Sequence, residues 1–507
     1  MSRHIYWIFF LSLTLSILAC NLPTSAHATL PVVPPSAIPA TQPPTPGLIY
    51  QPVFEPAPCA FPVPSGYNPI CGYLVVPENR VRVDTPFIRL HVAVFRNRSG
   101  LTVSDPVVHL AGGPGSSSLE VARYMFGQGL AAILDQRDFI LFDQRGTGYS
   151  QPRLDCPERS SVTGILLERG LSAEGNDQII LDAFRRCRDR LVGQGIDLSA
   201  YHSAASAADL NDLRLALGYD QLNLYAVSYG TRLALTLLRD HPEAVRSAVL
   251  DSAYPLQVNL YTALAPNADR AFNAFFHRCA SDPGCNASYP DLRAGFYQLV
   301  DQLNANPVLL TLSVEGVEQS VRLDGGLLID VLFVGLYNPV VTASMPRMID
   351  EIRQGIYDTL RERLALYFDT GGALGMQMSV QCAEEIPLNA FEEAYAAAQG
   401  VPPQIASFYP ATVQPLFAVC REWTTTVPAA RENAPVLSEV PTLILAGEHD
   451  PITPPEWGRM VSQDLARDYF YELPGNGHWV TRSSACALSM TLAFWNDPSV
   501  DPGYVCQ

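Results

Sequence analysis

The sequence contains no lysine: all 33 basic residues of the 507-residue chain are arginine. A Schiff-base or pyridoxal enzyme, a Ser-Lys dyad and a P-loop nucleotide site each need a lysine amine, so none of them can operate here. The chain is also poor in charge, at 16% of residues, and the balance is acidic, with a formal net of −17. Binding a nucleic acid requires a clustered basic stripe that displaces counterions, so nucleic acid is not an expected partner. No CxxC unit occurs among the 11 cysteines and the 9 histidines are scattered, which leaves no zinc-type ligand set. What remains is a packed globular chain, 48% apolar, long enough for a core of about 300 residues with a large insertion.

The amino terminus, MSRHIYWIFFLSLTLSILAC, has a short basic stretch at Arg3 and His4 and then an apolar run from Ile5 to Ala19. This is the layout of a signal peptide, and the run is shorter than the ~20 apolar residues that span a bilayer. It ends at Ile17-Leu18-Ala19-Cys20, which resembles a bacterial lipobox, where the cysteine takes a lipid and becomes the first mature residue. Residues 21–58 are crowded with proline and predict an extended spacer. An exported protein held at the cell envelope or surface by lipid on Cys20, or released from it, is the expected setting. With Cys20 lipidated, the other cysteines of the 11 can pair evenly, as suits an oxidising compartment. Many connectivities are open. Nearest-neighbour spacing suggests Cys59 with Cys71, Cys156 with Cys187, Cys279 with Cys285, Cys382 with Cys420, and Cys486 with Cys506.

From about residue 72 the pattern becomes strand-like, in GYLVVP, FIRLHVAVFR, PVVHLAG and DFILFDQRG. A helix follows, with its start marked by Ser206 and Asp209, its apolar face by Leu210, Leu213 and Leu217, and its end by Gly218. Strand and helix then alternate through QLNLYAV, TRLALTLLRD and RSAVLDSA, and resume after a long interval with PTLILAGEHD, a helix near Pro455, DYFYEL and a final helix. Such alternation predicts an α/β fold with a mainly parallel sheet and helices on both faces. The expected division is a signal segment 1–20, a linker 21–58, a core in two parts at 59–255 and 436–507, and a mostly helical cap insertion at 256–435.

The chemistry concentrates at Ala226-Val227-Ser228-Tyr229-Gly230, between the apolar strand and a helical segment. A serine on a tight strand-to-helix turn needs small residues two positions away on each side; Ala226 stands where glycine is usual and Gly230 keeps the second glycine. A serine hydroxyl is a poor nucleophile until a base takes its proton, so the pattern demands a histidine and a carboxylate that fixes the histidine's tautomer. Asp450, ending PTLILAGEHD, and His478, in LPGNGHW, fall in the required order after Ser228. Attack on a carbonyl creates an oxyanion that needs two backbone donors. The glycine-rich Ala111–Gly115 segment supplies one candidate, Gly113 N–H, and Tyr229 N–H is the other. The same segment lacks the G-x-G-x-x-G spacing of a dinucleotide site. This mechanism requires neither metal nor organic cofactor.

These blocks resemble the prolyl and tripeptidyl aminopeptidase branch of the α/β-hydrolases. AGGPG resembles its H-G-G-P-G with Ala111 in place of histidine, Asp143 to Ser150 matches its D-Q-R-G-x-G-x-S in full, and GEHDPITP and GNGHW resemble its acid and histidine loops. The likeness covers about residues 65–255 and 436–507 and the cap only loosely. It implies an α/β-hydrolase fold and a peptide substrate, with residues or short peptides released from a free amino terminus through an acyl-enzyme on Ser228. It also implies acidic cap residues that hold the substrate ammonium, for which Glu384 and Glu385 are the candidates. A carboxylesterase or lipase of the same fold, and a non-catalytic surface lipoprotein, are the competing readings.

Overall fold

Alternation of apolar residues places the strands in one sheet with a core on each side. The structure, a computed structural model, describes residues 50–100, 105–171, 173–314, 316–368, 371–423, 430–503 and 506. Cys20 and most of the expected linker lie outside the described residues. The strands are β1 (Val53–Pro56), β2 (Ile70–Pro77), β3 (Phe87–Phe95), β4 (Val107–Leu110), β5 (Phe139–Phe142), β6 (Leu222–Val227), β7 (Val245–Asp251), β8 (Val308–Val314), β9 (Val317–Leu323), β10 (Thr442–Gly447) and β11 (Asp468–Leu473). Nine of them form one sheet in the order β1-β2-β3-β5-β4-β6-β7-β10-β11. Pairing is antiparallel from β1 through β5 and parallel from β5 to β11.

Period-two side-chain direction makes the two cores. On β6, Leu222, Leu224 and Ala226 face one apolar cluster with Leu210, Leu213 and Leu233, while Tyr225 and Val227 face the other with Phe494 and Trp495. The helices Ser203–Leu217 and Tyr229–Asp240 supply the first cluster, and Ala485–Asn496 supplies the second. The sheet is therefore covered on both faces.

Three expectations need correcting. The spacer does not extend to residue 58, because Val53–Pro56 pairs with β2 as an added edge strand. The helix expected to start at Ser206 starts at Ser203, with His202 as its cap, and Ser206 and Asp209 lie inside it. Asp209 is spent on an ion-pair network: Arg145 donates to both of its carboxylate oxygens and Arg80 also pairs with it. Burial raises the Asp209 pKa, but those guanidiniums outweigh it and hold the carboxyl below the usual range. The cap is mostly helical as expected, and it is not without strands, since β8 and β9 form a separate antiparallel hairpin. Nor is it one insertion: Ile180, Phe184 and Leu191 of the helix Asn176–Gly193, from the expected core, join the same apolar cluster as Phe272, Phe296 and Trp423.

Disulfides join Cys59–Cys71, Cys156–Cys187, Cys279–Cys285, Cys382–Cys420 and Cys486–Cys506, the pairs given by nearest-neighbour spacing. No described helix is long and apolar enough to cross a membrane.

Candidate active site

Three strand ends on the parallel half of the sheet carry Ser228, Asp450 and His478. Ser228 follows β6 and stands at φ 59°, ψ −128°, a conformation an L-residue adopts only under constraint. Its N–H donates to the Asp251 carbonyl at 3.0 Å, and its own carbonyl accepts from Thr231 N at 2.8 Å. The small flanking residues have a steric cause. A Cβ on Gly230 would collide with the Leu110 carbonyl, and one on Gly112 would lie 2.8 Å from the Ser228 Cβ. Ala226 is tolerated where glycine is usual because its methyl packs into the sheet core.

Asp450 follows β10 and His478 follows β11. His478 Nδ1 lies 2.8 Å from Asp450 Oδ2, and Asp450 is fully buried. The carboxylate is saturated with donors: Oδ1 accepts from Ile452 N at 3.0 Å and Thr453 N at 2.9 Å, and Oδ2 accepts from Thr453 Oγ1 at 2.8 Å. Burial raises the Asp450 pKa, but His478 and the Thr453 hydrogen bonds prevail and keep it below the ordinary carboxylate range. The site therefore holds an ionised acid at neutral pH. A carboxylate on Nδ1 fixes the proton there and leaves Nε2 as the basic nitrogen.

Ser228 and His478 line one cavity of about 250 Å³, and no hydrogen bond joins them in this structure. Such contacts tighten when substrate is bound. Gly112 lines the same cavity, whereas Gly113 and Tyr229, the expected oxyanion donors, do not. Tyr229 begins the helix after Ser228, and Gly113 has φ +111°, a left-handed conformation that glycine adopts freely.

The cap closes over this arrangement. Val331, Val334, Tyr337, Val341 and Met345 line the cavity, and the Tyr337 ring lies 4.8 Å from the His478 ring. Glu384 and Glu385 do not line it, which corrects the expectation of a substrate-binding role. Both are buried. Glu384 accepts from Ser203 Oγ at 2.7 Å and pairs with Arg232 at 3.3 Å, while Glu385 pairs with Arg232 at 3.1 Å and accepts from Leu260 N at 3.3 Å. Burial raises the Glu385 pKa, and Arg232 opposes that rise. The two carboxylates fasten the cap to the core helix that carries Arg232.

Thr453, Asp251 and Ser252 escaped the sequence reading, whereas Asp143 was read there as part of the DQRG block. Thr453 bridges the acid and the imidazole, its Oγ1 lying 3.1 Å from His478 Nδ1. It stands inside the GEHDPITP block, where a hydroxyl three residues after the acid was the available signal. Asp251, at the end of β7, accepts from Val480 N at 2.7 Å and Thr481 N at 2.8 Å, and Ser252 Oγ accepts from Trp479 N at 2.9 Å. These bonds anchor the loop that carries His478. Asp143 of DQRG accepts from Ser117 Oγ at 2.7 Å and Tyr149 N at 2.8 Å, and burial pushes its pKa up to about 7. It shapes the glycine-rich loop beside Ser228.

The comparisons with known proteins agree with this architecture. A family model described as alpha/beta hydrolase fold matches residues 105–304, and one described as TAP-like protein matches residues 406–506. Serine protease Hip1 of Mycobacterium tuberculosis is 27% identical over 84% of this chain and 84% of its own. Tripeptidyl aminopeptidase of Streptomyces lividans is 29% identical over 36% of this chain and 35% of its own. A probable proline iminopeptidase of Streptomyces coelicolor is 28% identical over 29% of this chain and 32% of its own. A nine-stranded sheet with a strained serine after a central strand defines a serine hydrolase. The chain has the α/β-hydrolase fold, and its residues 406–506 are similar to TAP-like proteins.

Proposed function

We propose that the protein is an exported serine peptidase that removes residues or short peptides from free amino termini, with Ser228 as nucleophile, His478 as general base and Asp450 as its orienting acid. The observation that carries the reading is the 2.8 Å contact of His478 Nδ1 with Asp450 beside a cavity that also exposes Ser228. Ser228 Oγ attacks the peptide carbonyl while Nε2 of His478 takes its proton, and Asp450 stabilises the imidazolium that results. Backbone N–H groups receive the oxyanion: that of Tyr229, next after the nucleophile, and one from the glycine-rich loop, where Gly112 rather than the expected Gly113 lines the cavity. His478 returns the proton to the leaving amine, and a water then hydrolyses the acyl-Ser228 ester by the same route in reverse.

The aminopeptidase mode is supported by the names of the relatives and by the cap, which leaves only about 250 Å³ beside Ser228. Export and lipid attachment at Cys20 are supported by the terminal sequence and by five disulfides, which belong in an oxidising compartment. A carboxylesterase is the second reading, favoured by the apolar character of most of the cavity wall.

Matched peptides with free and acetylated amino termini, digested and read by mass spectrometry, separate the readings. Cleavage that starts at the free terminus and stops on acetylation is expected. Indifference to acetylation together with faster ester turnover would replace the peptidase reading by the esterase.

A further inference from the structure

Among the described residues that line the cavity beside Ser228 there is no aspartate or glutamate, and there are two arginines, Arg363 and Arg482. One comes from the cap helix Asp358–Leu364 and the other from the short helix after His478. Neither makes an ion pair with a described residue, in a chain whose net charge is −17. Their neighbours behave differently: Arg361 on the same cap helix pairs with Asp358 at 2.9 Å. Arg363 is half-buried, and its Nε is buried without a hydrogen-bond partner. Arg482 is held over the rings of Tyr124 and Trp479 at 5.4 and 5.6 Å. No hydrogen bond joins this guanidinium to a described residue.

A guanidinium in an apolar wall is costly unless a counter-charge meets it, and the matching partner for its planar donors is a carboxylate. We infer that the cavity selects substrates carrying a carboxylate, which Arg363 and Arg482 receive while the scissile carbonyl lies at Ser228. The inference rests on the assignment of Ser228 as nucleophile but not on peptide being the substrate. The carboxylate comes either from an acidic side chain or from a free carboxy terminus.

The test compares kcat/KM within pairs that differ only in charge. Peptides with Glu against Gln near the cleaved bond read the side-chain source, and carboxy-terminal acids against amides read the terminal source. The 4-nitrophenyl esters of hemiglutarate and methyl glutarate read the same preference without a peptide. At least one pair is expected to favour the acid by about tenfold or more. Added salt should shrink that ratio. Arg363→Gln and Arg482→Gln should each pull it toward one, and Arg363→Lys should restore part of it. Thermal melting confirms that the variants fold, and if they do not, the wild-type ratios decide alone. A ratio at or below one in every pair, or a preference untouched in both folded Gln variants, overturns the inference. Loss of all peptide cleavage with the acid preference intact on the esters supports the inference and removes only the peptidase reading.

Discussion

The hydrolase core and the cap use buried acids in opposite ways. In the core, Asp450 sits at a strand end with its carboxylate turned to His478, and every acceptor position is filled by a group that aims the imidazole. In the cap, Glu384 and Glu385 are equally buried, yet their partner is Arg232, a residue with no place in the cavity. Burial alone thus says nothing about role. The partner does: Asp450 faces an imidazole beside a cavity, as the proposed reaction needs, and Glu384 and Glu385 face a buried guanidinium that joins two layers.

That contrast can be broken at several points. Asp450→Asn should lower kcat by about 10⁴-fold with the fold intact, because the imidazolium loses its counter-charge and its tautomer; steady-state kinetics read this. The same substitution carries a pH signature. Since the folded-state pKa of Asp450 is depressed, its stabilising contribution is present above the ordinary carboxylate value and is lost as pH falls through the depressed one. Urea unfolding below about pH 4 should therefore depend less steeply on pH in the variant.

Arg232→Met should cost about 3–5 kcal/mol of stability by stranding two buried carboxylates, and adding Glu384→Gln and Glu385→Gln should recover much of it. Chemical denaturation reads the series. If Glu384→Gln instead raised KM for free-amine peptides and left stability untouched, the cap acids would belong to the substrate site after all. The smallest effect is expected at Thr453→Val, a roughly tenfold fall in kcat with KM unchanged, because one hydrogen bond to the charged Asp450 is lost. Thr453→Ser should restore the rate.

The sequence carried the core's geometry because strand and helix periods there leave few alternatives. Ser228 had to follow β6 on a tight turn, and steric contact with Leu110 and Gly112 explains the small residues around it. Asp450 and His478 were legible from their strand-end positions. The cap was read less well for a physical reason. Its core is assembled from segments far apart, with the Phe184 ring set edge-on against Trp423 at 6.0 Å, and no local pattern announces that pairing. Glu384 and Glu385 read as ligands for a substrate ammonium because their partner, Arg232, lies about 150 residues earlier in the chain, a separation of 152 for Glu384. Thr453 was missed since a threonine after an acid also caps ordinary turns.

The most direct measurement is reaction of the folded protein with a fluorophosphonate probe, followed by mass-spectrometric location of the adduct. One adduct on Ser228 is predicted, formed fast in the wild type, slowed in His478→Ala and absent in Ser228→Ala. A folded protein that stays unlabelled at Ser228, or labels elsewhere while hydrolysing substrate, would contradict the account.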